Sequence, residues 1–239
     1  MHWSDRAIVL GCRALGESSV VLEAMTRTHG RHSGLVHGGR SRRLRPALQA
    51  GNTVSVEWRA RLDEQLGTFS VEEEVSRAGR LIASSSALLG AATMAAHLRL
   101  LAERDPHPAL FDAASALLDH LDDPETGPAL FTLFELRLLA EFGFGLDLSS
   151  CAATGATDDL VYVSPKSGRA VGREPGEPYR ERLLPLPRFL REGVDEMPSA
   201  TEVSDAFRLT GFFLEEHLYA PRGMTLPDER ARYVAAAGR

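Results

Sequence analysis

The sequence predicts an α+β protein, with β-type segments first and helices after them. Three observations carry this. Short runs with two-residue alternation are confined to residues 5–75. Ala/Leu-rich runs with helical periodicity begin near residue 78. The charge divides at almost the same place: residues 1–61 hold ten Arg and four acids, a net +6, whereas the chain as a whole is −6, leaving −12 on residues 62–239. A basic head on an acidic body points to a polyanionic partner for the head.

Five β-type segments are expected. Arg6–Cys12 places Ile8, Leu10 and Cys12 on one face and Ala7 and Val9 on the other. Ser19–Thr26 follows, then a turn at Thr28-His29-Gly30-Arg31 and a short run Ser33–His37. Thr53–Trp58 alternates Val54, Val56 and Trp58 against Thr53, Ser55 and Glu57. Gly67–Val75 sets Phe69 and Val71 against Thr68, Ser70 and Glu72. Turn residues separate the runs. Five strands in about 70 residues fit a small closed barrel of the OB type better than a sandwich, which needs about seven.

After residue 78 the period changes. Leu81–Arg104 reads as one long helix ending before Asp105-Pro106. Ala109–Leu121 carries the stripe Leu110, Ala114, Leu117, Leu118 and Leu121, the mark of an amphipathic helix. Pro128–Phe142 is apolar on nearly every side and stops at Gly143, which reads as a helix C-cap. A loop-rich insert occupies about 149–176, with one short strand at Leu160–Val163. Ser199-Ala200-Thr201-Glu202 fits a capping box opening a last helix to about Tyr219, and the tail from Pro221 is expected to be weakly ordered at its end. The organisation expected is an OB-type nucleic-acid-binding domain at 1–78 and a helical domain at 79–239.

Composition narrows the function classes. No run approaches the roughly 18 apolar residues that span a bilayer, and Met1-His2-Trp3-Ser4-Asp5-Arg6 lacks the features of a signal peptide. A cytoplasmic protein is expected, and Cys12 and Cys151 are expected to be free thiols. Lys166, the single lysine, has no upstream glycines of a phosphate-binding loop. His29, His32 and His37 do not converge if the segment is extended, and Glu72-Glu73-Glu74 splits between two strand faces. No catalytic motif is present, and no metal or cofactor is expected.

The densest signal is Arg40-Ser41-Arg42-Arg43-Leu44-Arg45, entered through Gly38-Gly39 and left through Pro46. Guanidinium groups on a glycine-hinged loop suit phosphate tracking. Arg40, Arg42, Arg43 and Arg45 are the first-choice nucleic-acid ligands, with Arg31 and Arg6 as lesser ones. Aromatic candidates in the basic region are few, namely Trp3, Trp58 and Phe69, so contact to the backbone is favoured over base readout.

The order of these parts resembles the RecO family of DNA recombination and repair mediators. Asp5-Arg6-Ala7-Ile8-Val9-Leu10 with Leu15-Gly16-Glu17-Ser18-Ser19 is similar to that family's first hairpin. Gly38-Gly39-Arg40-Ser41-Arg42 is similar to its basic loop, and Phe134 to Gly143 to its central helix, which leads into Cys151-Ala152-Ala153-Thr154-Gly155. The resemblance implies binding to single- and double-stranded DNA, strand annealing, and recombinase loading with RecR at the nucleoid. It also implies contact with the C-terminal tail of single-strand-binding protein. Many members carry a four-cysteine zinc site in the insert. Its positions align here with Cys151, Thr154, Gly172 and Pro175, so the insert is expected to be a degenerate, metal-free version. Two other readings stay open. One is an RNA-binding OB protein in RNA maturation. The other is an enzyme with a carboxylate site around Glu135, Glu141 and Asp147.

Overall fold

The computed structural model describes residues 1–62, 64–193 and 196–238. These form two compact units, Met1–Asp122 and Asp123–Arg239. The change from strand to helix near residue 78 lies inside the first unit, which runs on through three helices.

The first unit opens with five strands: β1 (His2–Leu15), β2 (Ser19–Thr26), β3 (Gly30–Val36), β4 (Thr53–Arg59) and β5 (Thr68–Val75). They close a barrel in the order β1-β2-β3-β5-β4. Closure depends on the length of β1. Its first half pairs antiparallel with β4, from His2↔Arg59 to Ile8↔Thr53, and its second half with β2, from Ala7↔Thr26 to Leu15↔Ser19. The other seam is short, a single parallel pair, Leu35↔Thr68. Ala7, Val9, Leu22, Ala24, Val36, Val54, Val56, Trp58 and Phe69 fill the interior. The buried Trp58 indole donates to the Leu66 carbonyl at 3.0 Å, so its one polar atom is satisfied.

The expected alternation along β1 fails beyond Val9. A bulge there gives Val9↔Ala24 followed by Gly11↔Glu23, with Leu10 as the extra residue. A bulge shifts the phase of every later side chain. Cys12 therefore lies opposite Leu22 and Ala14 opposite Val20, on the barrel-facing side, not on the face of Ile8 and Leu10.

Three helices complete the unit: α1 (Ala78–Ala83), α2 (Ser85–Leu98) and α3 (Pro108–His120). The single helix expected over 81–104 is two, and the second stops at Leu98, short of Arg104. Ser84 is extended (φ −115°, ψ 118°), and its side chain accepts from the Ala87 N–H at 3.2 Å. A serine hydroxyl offers the backbone a cap in place of another helical turn. In α3 the buried positions Leu110, Ala114, Leu117 and Leu118 are those of the expected stripe.

The second unit is built on α4 (Thr126–Glu141). Gly143 ends it at φ +83°, donating to Ala140 O, while Phe144 N donates to Leu139 O, so the expected cap is present. The insert contains β6 (Leu160–Val163) and β7 (Ala170–Gly172), joined by β8 (Leu184–Pro185) in the sheet order β7-β6-β8. The one-turn helices α5 (Arg173–Gly176) and α6 (Phe189–Glu192) flank β8. Next comes α7 (Ala200–Leu214), opened by the Ser199/Glu202 capping box that its sequence implies.

The tail departs from expectation. Asp228–Ala237 forms a further helix, α8, that buries Tyr233 and Arg230. The Arg230 guanidinium donates to both Glu135 carboxylate oxygens at 2.7 and 2.9 Å, and to Phe207 O at 3.0 Å. The Thr210 hydroxyl also donates to Glu135. Glu135 is fully buried, so this arginine keeps a buried carboxylate from being uncompensated. Glu135→Ala would strand the Arg230 charge and should destabilise the protein by about 3–5 kcal/mol. Double replacement by apolar residues should cost less than the sum of the two single changes. Denaturant unfolding of the four proteins measures both.

Candidate nucleic-acid interface

The arginine segment lies between β3 and β4 and is folded rather than slack. Ser41 Oγ accepts from Leu44 N (3.3 Å), Arg45 N donates to Ser41 O (3.0 Å) and Leu48 N to Leu44 O (3.2 Å). Gln49 Nε2 adds a bond to Arg45 O at 2.9 Å. Leu44, Ala47 and Leu48 pack onto the barrel core. With these apolar residues turned inward, Arg42, Arg43 and Arg45 are exposed.

Asn52 fixes the segment's far end. Its side chain is fully buried. Nδ2 donates to Pro46 O at 2.9 Å, while Oδ1 accepts from both Arg77 N and Ala78 N at 2.8 Å. Arg77, itself buried, donates to Thr53 Oγ1 and Asp119 Oδ1 at 2.6 Å and to Ser115 at 3.1 Å. One amide thus joins the arginine segment to the start of α1. Sequence reading missed it because nothing in Gly51-Asn52-Thr53 distinguishes a buried clamp from an ordinary turn asparagine.

The six arginines proposed from sequence fall into two groups. Arg40, Arg42, Arg43 and Arg45 share this segment. Arg40 is braced: Nη1 donates to Gly16 O and Glu17 O at 3.2 and 3.0 Å. The guanidinium groups of Arg42, Arg43 and Arg45 make no hydrogen bond or ion pair among the described residues. Arg6 and Arg31 lie elsewhere and are engaged. Arg6 Nε pairs with Glu74 at 2.6 Å. Arg31 pairs with Glu23 at 2.9 Å and Glu103 at 3.3 Å and is largely buried.

The aromatic residues of the basic region are packed together. Trp3 stacks on His29 at 4.1 Å and on Trp58 at 5.6 Å, and meets Phe69 edge-on at 6.0 Å. His29 also contacts Asp5 at 3.0 Å. His32 is buried against Trp58, and desolvation holds its pKa below the ordinary value. Beneath the arginine segment is a hollow of about 380 Å³ lined by Cys12, Val20, Gly39, Arg40, Arg45, Leu48 and Gln49. Cys12 is exposed at the rim of the strand, but its Sγ sits 3.5 Å from Leu48 O, and local desolvation pushes the thiol up to about 11.

In the insert, the positions aligned with a metal site do converge, but with different chemistry. Gly172 N donates to Cys151 Sγ at 3.3 Å, and the Pro175 ring lies 3.5 Å from where a Gly172 Cβ would stand. Burial raises the Cys151 pKa. The Thr154 hydroxyl and the N–H groups of Gly172, Ala153 and Thr154 outweigh that and bring it to about 7. One thiolate and a hydroxyl do not make a zinc ligand set. Hydrogen-bond donors gather around the sulfur instead.

The carboxylates considered for an enzyme site are apart and engaged. Glu135 pairs with Arg230, Glu141 with Arg137 at 2.9 Å, and Asp147 with Arg169 at 3.2 Å.

Comparison with known proteins places this architecture. The family "Recombination protein O N terminal" matches residues 1–76, and "Recombination protein O C terminal" matches residues 84–225. The chain belongs to the RecO family. It is 58% identical to the DNA repair protein RecO of Methylorubrum extorquens, covering 98% of each chain. It is 56% identical to that of a Chelativorans species, covering 100% of this chain and 96% of the relative. RecO proteins at this similarity place the chain in DNA repair and recombination. Among the described residues no helix is long and apolar enough to cross a membrane.

Two outcomes are expected from this geometry. Asn52→Ala leaves the Arg77 and Ala78 N–H groups and the Pro46 carbonyl without their partner. It should cost roughly 2–3 kcal/mol, seen in chemical unfolding, and should speed proteolysis within residues 40–51. The second concerns pH. The Cys151 pKa is lowered on folding, so its contribution is complete above the ordinary thiol value of 9.0 and is lost as pH falls to about 7. The stability advantage of wild type over Cys151→Ser should therefore shrink across that interval in a pH series of unfolding curves.

Proposed function

We propose that this chain is a non-enzymatic DNA repair mediator. It binds single- and double-stranded DNA through the arginine segment, promotes annealing, and helps load recombinase together with RecR at the nucleoid. The observation that carries this reading is the set of exposed guanidinium groups, Arg42, Arg43 and Arg45, without internal partners among the described residues and next to the braced Arg40. An arginine with no internal ion pair gives up no protein contact when it meets a phosphate. Neutralising two backbones at once lowers strand repulsion and leaves base edges free to pair. Arg6 and Arg31 serve as lesser ligands, since each exchanges a carboxylate for a phosphate.

In this reading residues 1–78 meet DNA and residues 79–239 meet proteins. The tail of single-strand-binding protein is acidic and apolar, and in this reading it docks on the second unit. What supports this is a groove of about 440 Å³ lined by Leu136, Ala140, Leu146, Leu148, Leu190 and Arg191, aliphatic walls with one cation among them.

Replacing Arg40, Arg42, Arg43 and Arg45 by Ala should leave the protein folded and weaken DNA binding. If the four contact single-strand phosphates, the salt slope should fall in magnitude by about 2.8, from ~0.7 per contact. Fluorescence anisotropy across a salt series measures it, with circular dichroism as the folding control. An unchanged slope in a folded variant rejects the assignment. A competing RNA strand that displaces DNA at far lower concentration would favour a role in RNA maturation.

A further inference from the structure

The hollow beneath the arginine segment has a composition that phosphate tracking alone does not use. Its walls are aliphatic or weakly polar: Val20, Leu48, Cys12 and the Gly39 backbone. Arg40 and Arg45 line it as well. Arg40 is fixed in place by the Gly16 and Glu17 carbonyls, so its planar face is pre-set, and Arg45 has no internal partner for its guanidinium among the described residues. Gln49 spends its amide N–H on Arg45 O, while its amide oxygen has no partner among the described residues. A volume of about 380 Å³ is that of a small-ligand site.

Two features keep the hollow open. The bulge at Leu10 turns Cys12 to the barrel-facing side, where it contributes a small wall. At Gly39 a Cβ would stand 2.6 Å from Val20 Cγ2 and 3.2 Å from Leu48 Cδ1, two of the lining side chains. Any larger residue at either place would narrow the space.

We propose that this hollow captures one unstacked nucleobase of a single strand, while Arg40 and Arg45 hold the phosphates on either side of it. The proposal rests on the DNA-binding reading above and specifies how that site treats single strands. The ligand chemistry follows from the lining. A base presents flat apolar faces to Val20, Leu48 and an arginine plane, and stacking on a guanidinium is tolerant of base identity. Every base also carries an N–H on its pairing edge, which the Gln49 amide oxygen can accept. The site therefore selects single strands over duplex without selecting sequence. It also supplies a base contact that Trp58 and Phe69, buried in the barrel, cannot make, and that does not require Trp3 to leave its stack on His29 and Trp58.

The test uses the full chain and two probes of equal length, oligothymidylate and an oligomer in which every base is replaced by an abasic tetrahydrofuran. Their phosphates are equal in number. Captured-base binding predicts about tenfold weaker affinity for the abasic strand. Equal affinity for the two overturns base capture and leaves phosphate tracking intact. Failure of both strands to bind overturns the DNA-binding reading and this proposal with it. Cys12→Leu, which fills the hollow, should bring the two affinities together; a folded variant that keeps the full preference places the base elsewhere and rejects the proposal. A second readout needs no variant. Alkylation of Cys12 in the wild-type protein, followed by peptide mass spectrometry, should be slowed by saturating oligothymidylate and not by saturating abasic strand. Equal protection by both rejects base capture.

Discussion

Much of the first unit hangs on the side-chain amide of Asn52. It holds the carbonyl at the end of the arginine segment with one hand and the first N–H groups of α1 with the other. A buried amide with every bond made in one geometry specifies a single arrangement, because any shift leaves a polar group unsatisfied in a medium that cannot replace water. The guanidinium groups can be exposed and still be well placed because their backbone is tied down on the inside. Leu44, Ala47 and Leu48 add the apolar part of the same anchor. Exposure of charge at one surface is thereby supported by burial of an amide and three aliphatic side chains beneath it.

The barrel was legible because its signal is local. Val54, Val56 and Trp58 alternate in sequence and fill the interior, and α3 buries the stripe that its spacing announces. What stayed hidden depends on distant partners or on single-residue irregularities. The bulge at Leu10 has no residue signature in Val9-Leu10-Gly11, yet it reverses the side on which Cys12 lies. The break at Ser84 hides inside a run of serines that tolerates either conformation. Helix α8 is too polar to announce a buried face, and its meaning appears only once Arg230 meets Glu135. The arginine segment could be named from sequence as a cluster. That Arg6 and Arg31 stand apart and are bound to carboxylates could not, since Glu74 is 68 residues from Arg6, and Glu23 meets Arg31 only through the register of β2 on β3.

The insert is held together around a single sulfur. Thr154 and Gly172 direct hydrogen-bond donors at the Cys151 sulfur. The loops stay close, with Cys151 N donating to Ala156 O and Ala152 N to Ala170 O. The sulfur shares its charge with a hydroxyl and backbone dipoles. Such a site asks less of its surroundings than a metal does, because its partners are covalently part of the chain.

The pairing of Glu135 with Arg230 has a consequence in time as well as in energy. The two residues are 95 positions apart. During synthesis the carboxylate leaves the ribosome long before its guanidinium partner exists. Burying it then would leave a lone charge in an apolar interior, so the final packing of α4 costs several kcal/mol less once α8 has emerged. The second unit thereby carries a dependence on its own completeness: a chain cut short before α8 lacks the guanidinium that compensates Glu135, and by the cost of that loss alone would populate its open forms far more often.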